Sequence, residues 1–360
     1  MSKTVERDAP DQDIRPHIQT SIDRFLASQK PILAAIGAET LPLWESANTL
    51  LNGGKRLRSL FCYSGWRAAF GDSSHRAEVI TAASSLEFLQ ACALIHDDVM
   101  DGSDTRRGLP AAHRQFASMH RGNQWLGIPD RFGEGAAILL GDLCLSWADQ
   151  LLLTSGLPAK NLTAAKNVYD EMRTELMAGQ YLDLLEQARG GGSVERALRV
   201  VRYKSAKYTI ERPLHIGAAL ALAPQEVFNA YSGYGLPLGE AFQLRDDILG
   251  VFGDPEVTGK PAGDDLREGK RTVLIAIATE RAHPQQLKSL HKLLGDEHLS
   301  LAGIETLREI ISETKALDYT ENLITRLLEE SLAVLAAAPL DPPAVIALND
   351  LAHKAVQRSQ

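Results

Sequence analysis

The chain has 360 residues, 44% of them hydrophobic and 23% charged, with a formal net charge of −8. That is ample apolar material for a large core, and the acidic balance argues against non-specific nucleic-acid binding. The three cysteines, Cys62, Cys92 and Cys144, are too few and too widely spaced for a disulfide framework or a zinc site, and they read as small core residues.

The opening MSKTVERDAPDQD is charged and lacks the apolar segment of a signal peptide. It reads as a disordered polar tail over 1–13, followed by one all-helical domain over 14–360. The periodicity predicts helices near 14–37, 40–51, 56–70, 75–101, 111–120, 134–154, 161–188, 194–222, 225–252, 264–281, 284–294, 303–337 and 342–357. Breaks carry turn residues, such as Asn52-Gly53-Gly54 and Gly190-Gly191-Gly192-Ser193. Alternating strand patterns are absent. No apolar run approaches the ~20 residues of a membrane span, so no transmembrane segment is expected and the cytoplasm is the expected location.

The helix over 75–101 is apolar until its end, where His96-Asp97-Asp98-Val99-Met100-Asp101-Gly102-Ser103-Asp104 concentrates acids. At 100° per residue, Asp97, Asp98, Asp101 and Asp104 all fit within about 120° of one helix face. Carboxylates one turn apart repel each other, and the negative end of the helix dipole adds to the strain. Hard divalent cations would relieve it, because Mg²⁺ takes one or two carboxylates together with phosphate oxygens. A solvated acidic helix end is the plainer alternative for this cluster alone. A second cluster, Asp246-Asp247 in Gln243-Leu244-Arg245-Asp246-Asp247-Ile248-Leu249-Gly250, again ends an apolar helix, with Gly250 in the place that Asp101 holds in the first. Two such ends facing each other across a bundle would make a metal site. A di-iron centre would need Glu-x-x-His pairs, and none is placed to match.

Cations recur beside these acids. Gly53-Gly54-Lys55-Arg56-Leu57-Arg58 opens a helix, and two glycines, exposed N–H groups, Lys55 and Arg58 make an anion site. Arg106 and Arg107 follow the first cluster. Lys204, Ser205 and Tyr208 share one helix, Lys260 lies in Thr258-Gly259-Lys260-Pro261, and Lys270 and Arg271 come later. No Ser-His-Asp or Cys-His arrangement offers a nucleophile.

The ordered set GGKRLR, DDVMDGSDTRRG and FQLRDDILGVFGDPEVTGK resembles the trans-polyprenyl diphosphate synthases, over residues 20–350. The surroundings of the first cluster are most similar to actinobacterial geranylgeranyl diphosphate synthases. The resemblance implies a helical bundle around a deep central cavity, a homodimer, and three Mg²⁺ ions per active site. The substrates it implies are isopentenyl diphosphate and an allylic prenyl diphosphate. Asp97, Asp101 and Asp246 would bind metal, supported by Asp98, Asp104 and Asp247. Arg106, Lys204 and Lys260 would contact the allylic diphosphate. Lys55, Arg58 and Arg107 would hold isopentenyl diphosphate, with Gln90 beside them. Ser205, Tyr208, Gln243, Gln180 and Asp183 would line the reacting centre.

In that family, bulky residues four and five positions before the first aspartate stop chain growth at fifteen carbons. Those positions are Ala93 and Cys92 here, both small, with Leu89 and Phe88 a turn lower, roughly 5.4 Å along the helix. The expected product is therefore geranylgeranyl diphosphate, with longer chains and farnesyl diphosphate as alternatives. A terpene cyclase would need no second anion site, and a silent partner subunit would have lost metal ligands, whereas both acidic clusters are intact.

Overall fold

The computed structural model describes residues 13–190, 192–253, 263–296 and 298–357. Among these, the chain is helical apart from one two-stranded hairpin, as its periodicity implies. Helices α1 (Arg15–Ile36), α2 (Leu41–Leu51) and α3 (Leu57–Ala68) lead into α4 (Arg76–Asp101). α5 (Ala112–Gly122) and α6 (Pro129–Leu153) follow, then α7 (Ala159–Arg189) and the short α8 (Val194–Val200). A π-helical segment, Val201–Glu211, continues into α9 (Arg212–Leu220), and α10 (Gln225–Phe252) carries the second acidic pair. Helices Val273–Arg281, Ala316–Ala337 and Pro342–Val356 pack on the outside of α10.

Local chemistry explains the boundaries. Proline opens the first turn of α6, where its missing N–H costs nothing, so the helix begins earlier than the predicted residue 134. Ser193 caps α8 by accepting from the Arg196 N–H. α4 stops at Gly102, which takes the left-handed conformation at φ 68°. The predicted helix over 303–337 is two helices, because Lys315 is left-handed at φ 59°. The predicted 264–281 also divides, into Asp264–Arg267 and Val273–Arg281. Strands Thr105–Arg106 and Leu109–Pro110 pair antiparallel across Arg107 and Gly108, both at positive φ as a tight two-residue hairpin loop demands.

The predicted helix over 194–222 changes type part-way. Its π segment is seated between α7 and α10 by close backbone approach. A Cβ on Gly179 of α7 would lie 2.6 Å from the Tyr203 carbonyl carbon, and one on Gly239 of α10 would lie 2.6 Å from the Ala206 oxygen. Wide π turns re-aim side chains and gather at functional sites.

Two apolar cores result. One joins α1, α4, α6 and α7, and the other joins α10 with the C-terminal helices. Two helical stretches, Ser73–Asp101 and Pro129–Leu153, are long and apolar enough by composition to cross a membrane. They pack on each other, with 72% and 44% of their most apolar windows buried in the protein, so this apolar density is what the core between α4 and α6 requires. Between the two cores lies a cavity lined by α4, α7, the π segment and α10.

Candidate active site

The cavity has a volume of about 900 Å³, and the C-terminal ends of α4 and α10 bring Asp97 and Asp246 to its wall. On the α4 side, Asp97 accepts hydrogen bonds from Gln180 Nε2 at 2.9 Å and Lys204 Nζ at 3.0 Å. Lys204 also donates to Asp183 at 2.7 Å, so Gln180 and Asp183 fix the first aspartate and its lysine. Burial alone would raise the Asp97 pKa, but Lys204 and Lys270 outweigh it and hold the carboxyl at about 2.

Asp101 lies one turn further on, its side chain sealed beneath Lys270 at 3.3 Å. Burial, and then the charge of Asp97, push its pKa up to about 6. Neither of its carboxylate oxygens accepts a hydrogen bond from the described residues. Asp98 turns inward and accepts from Arg106 Nε at 2.9 Å, which aims that guanidinium back toward the first cluster. Asp104 departs from the expected common helix face. α4 ends before it, and Asp104 sits in the exposed loop, paired with Arg114 at 2.8 Å. Extrapolating helical geometry past Gly102 misplaces it.

On the α10 side, Asp246, Asp247 and Gln243 all line the cavity. Gln243 donates to Asp247 at 2.8 Å. Burial, reinforced by Asp265 and Asp246, pushes the Asp247 pKa up to about 8.

Lys55, Arg58, Gln90, Arg107, Ser205 and Tyr208 share the same cavity. Arg58 lies over the Tyr208 ring at 4.2 Å and donates to Thr209, while the Tyr208 hydroxyl donates to Gln90. Arg107 donates to the Leu50 carbonyl at 3.0 Å, which folds the hairpin back against the Gly53–Arg56 turn. Arg56, between Lys55 and Arg58 in sequence, is buried and pairs with Glu87 at 3.0 Å. Lys260 lies outside the described residues.

Glu87, Asp265 and Glu268 carry no role in the sequence reading. Glu87 was visible as a charge within an apolar helix. Asp265 and Glu268 flank Lys270, at 3.5 Å and 2.6 Å from its ammonium, and Glu268 accepts from Ser103 beyond the first cluster. The acidic pair Asp264-Asp265 was the available signal.

Acids and cations meet in a single cavity that Ala93, Leu94 and Leu176 also line, and a family model described as "Polyprenyl synthetase" matches residues 42–311. The chain belongs to this family. Polyprenyl synthetases are prenyltransferases, and this chain is therefore one. A geranylfarnesyl diphosphate synthase of Aeropyrum pernix is 33% identical over 87% of this chain and 93% of its own. An octaprenyl diphosphate synthase of Escherichia coli is 30% identical over 86% and 87%. Among solved structures, a geranylgeranyl pyrophosphate synthase of Corynebacterium glutamicum, complexed with isoprenyl diphosphate and magnesium, superposes with a TM-score of 0.92. It is 42% identical and covers 97% of this chain and 99% of its own.

The relatives differ in named product length, which directs attention to the α4 wall of this polyprenyl synthetase. Ala93 lines the cavity, and Leu89 continues its line one turn lower, fully buried. Phe88 and Cys92 turn toward α6. Phe88 packs edge-on against Phe25 at 5.1 Å and Trp147 at 6.3 Å, and the Cys92 sulfur lies 3.7 Å from His96 Nδ1.

Proposed function

We propose that this polyprenyl synthetase joins isopentenyl diphosphate head-to-tail to an allylic diphosphate, uses Mg²⁺, and makes geranylgeranyl diphosphate from farnesyl diphosphate or shorter starters. One observation carries the reading. Asp97 of α4 and Asp246 and Asp247 of α10 line one cavity together with Lys55, Arg58 and Arg107.

The residues fit a hard divalent cation. The donors are carboxylate oxygens only, and the buried oxygens of Asp101 accept no hydrogen bond from the described residues. Among the described residues no three potential ligands are grouped tightly enough to hold an ion by themselves. Diphosphate oxygens would therefore complete the shell, as is usual for Mg²⁺. Asp97, Asp101 and Asp246 would hold the metal, three ions in all. The metal when bound supplies charge neutralisation of the leaving diphosphate.

The chain's own groups do the rest. Lys204, Arg106 and Lys260 contact the allylic diphosphate, and Asp98 keeps Arg106 aimed at it. Lys55, Arg58 and Arg107, with Gln90, hold the isopentenyl diphosphate. Departure of diphosphate leaves an allylic cation, the isopentenyl double bond attacks it, and the released diphosphate accepts the lost proton. Ser205, Tyr208, Gln243, Gln180 and Asp183 line the reacting centre, and the apolar walls exclude water that would quench the cation. Ala93 leaves the tail room to pass the fifteen-carbon level, and Leu89 supports a floor one turn lower.

We also read the protein as a cytoplasmic homodimer. Support for the dimer comes from the outer face of α6 and the loop before it, where Leu126, Ile128, Ile138 and Leu139 are exposed together.

The test is a product assay with Mg²⁺, labelled isopentenyl diphosphate and five-, ten- or fifteen-carbon allylic diphosphates, with products dephosphorylated and sized. A dominant twenty-carbon alcohol is expected. Longer products would keep the reaction and remove the floor at Leu89. Folded protein that elongates no starter would defeat the reading in favour of a silent subunit.

A further inference from the structure

Asp97 and Asp101 stand one helical turn apart on α4. The same spacing on α10 pairs Asp246 with Gly250, so the second cluster is one acid short along the chain. The missing volume is filled in space. A Cβ on Gly250 would overlap Asp265 Oδ2 and lie 2.5 Å from Asp265 Cγ. The Asp265 carboxylate thus occupies the position that a side chain at 250 would take, one turn from Asp246 on the same cavity wall.

Two further facts hold it there. Gly263, left-handed at φ 69°, opens the short turn Asp264–Arg267 that delivers Asp265, which is 9% exposed. The ammonium of Lys270 lies 3.5 Å from Asp265 Oδ1 and 3.3 Å from Asp101 Oδ2, so one cation bridges the carboxylates of the two clusters. The buried Asp101 carboxylate faces that same ammonium and accepts no hydrogen bond from the described residues, so a single positive charge offsets both acids.

We propose that Asp265 is the spatial counterpart of Asp101: it supplies the acid absent at Gly250 and binds a divalent cation together with Asp246. The inference rests on the metal-dependent prenyl-transfer reading and deepens it. It also accounts for glycine at 250, since any side chain there would expel the carboxylate that replaces it.

The experiment measures binding of Mn²⁺, in the presence of inorganic diphosphate, by electron paramagnetic resonance, so that turnover is not the readout. Asp265→Asn keeps shape and removes charge, and a loss of affinity of at least tenfold is expected, with helical content unchanged. Gly250→Ala, which retains Asp265 but displaces it, should also weaken binding. The exchange variant Gly250→Asp/Asp265→Gly moves the acid back to the helix and should recover affinity to within about threefold of the parent. Parent-like Mn²⁺ affinity in Asp265→Asn would overturn the inference and leave the prenyl-transfer reading standing. Lost affinity without recovery in the exchange variant would overturn it too, making Asp265 a tether for Lys270. Failure of the parent protein to bind Mn²⁺ with diphosphate would instead strike the prenyl-transfer reading itself.

Discussion

Asp97 and Asp98 are adjacent in the chain, yet one meets Lys204 on the cavity wall and the other meets Arg106 beneath it. Adjacent residues on a helix are separated by 100°, so one carboxylate can serve the site while its neighbour anchors a cation for it. Replacing Asp97 or Asp246 with alanine should lower turnover by roughly a hundredfold or more, because each removes charge aimed at the departing diphosphate and its metal. Circular dichroism should show the helices intact, and near-parental turnover in either variant would defeat the assignment. His215 tests electrostatics away from the site. Its ring is buried, with Nδ1 3.4 Å from Arg212 and Nε2 between the Phe228 carbonyl and the Ser232 hydroxyl. Burial first, and then Arg212 and Lys207, hold its pKa down to about 4 from 6.5, with Glu175 the opposing charge. The unfolded chain therefore takes up a proton below pH 6.5 that the folded chain refuses, and stability falls as pH drops toward 4. The loss between pH 7 and pH 5 is about 2 kcal/mol from this group. In His215→Asn the urea midpoint should fall correspondingly less over that range, and an unchanged pH dependence would show that this histidine does not titrate as described.

At the scale of elements, α4 presents two faces to two partners. Its Gln90, Ala93, Leu94 and Asp97 face borders the cavity, whereas Phe88, Cys92 and His96, spaced four apart, lie against α6. That division bears on product length. Ala93→Phe would fill the cavity below the acids and should shorten the dominant product to fifteen carbons. An unchanged product distribution would mean that the tail descends along another wall. The π segment matters at the same scale. It runs between Gly179 and Gly239, where the backbones come too close for side chains, and it presents Lys204, Ser205 and Tyr208 to the cavity.

For the whole molecule, the exposed apolar side chains are not scattered evenly. Leu126 is 98% exposed and Leu139 62%, with Ile128 and Ile138 nearby on the same loop and helix. Exposed groups of this kind are costly in water and favour association. Leu139→Glu combined with Ile138→Glu should convert the proposed dimer to monomer in analytical ultracentrifugation. A parent protein that sediments as a monomer at micromolar concentration would exclude the dimer at once. Both substituted positions lie on the outer side of α6, away from the α4–α10 cavity, so monomer that keeps its helical content is the expected result.

The helical class, the acids at two helix ends and the cationic helix start could all be read from the chain, because each depends on neighbours a few residues away. Periodic apolar positions define helix faces, glycine and proline end them, and like charges one turn apart announce their own strain. The placement of individual side chains was decided by contacts between distant residues. Lys204 reaches Asp97 across 107 positions, and Arg58 reaches Thr209 across 151. No local pattern shows that Arg56 is spent on Glu87 while Arg58 turns to Thr209, nor that Asp104 leaves the face of Asp97 once Gly102 ends α4. Gly250 is the sharpest case. Along the chain it is a gap in an acidic motif, and only the tertiary structure fills that gap, because a glycine has no side chain to keep the Asp265 carboxylate out.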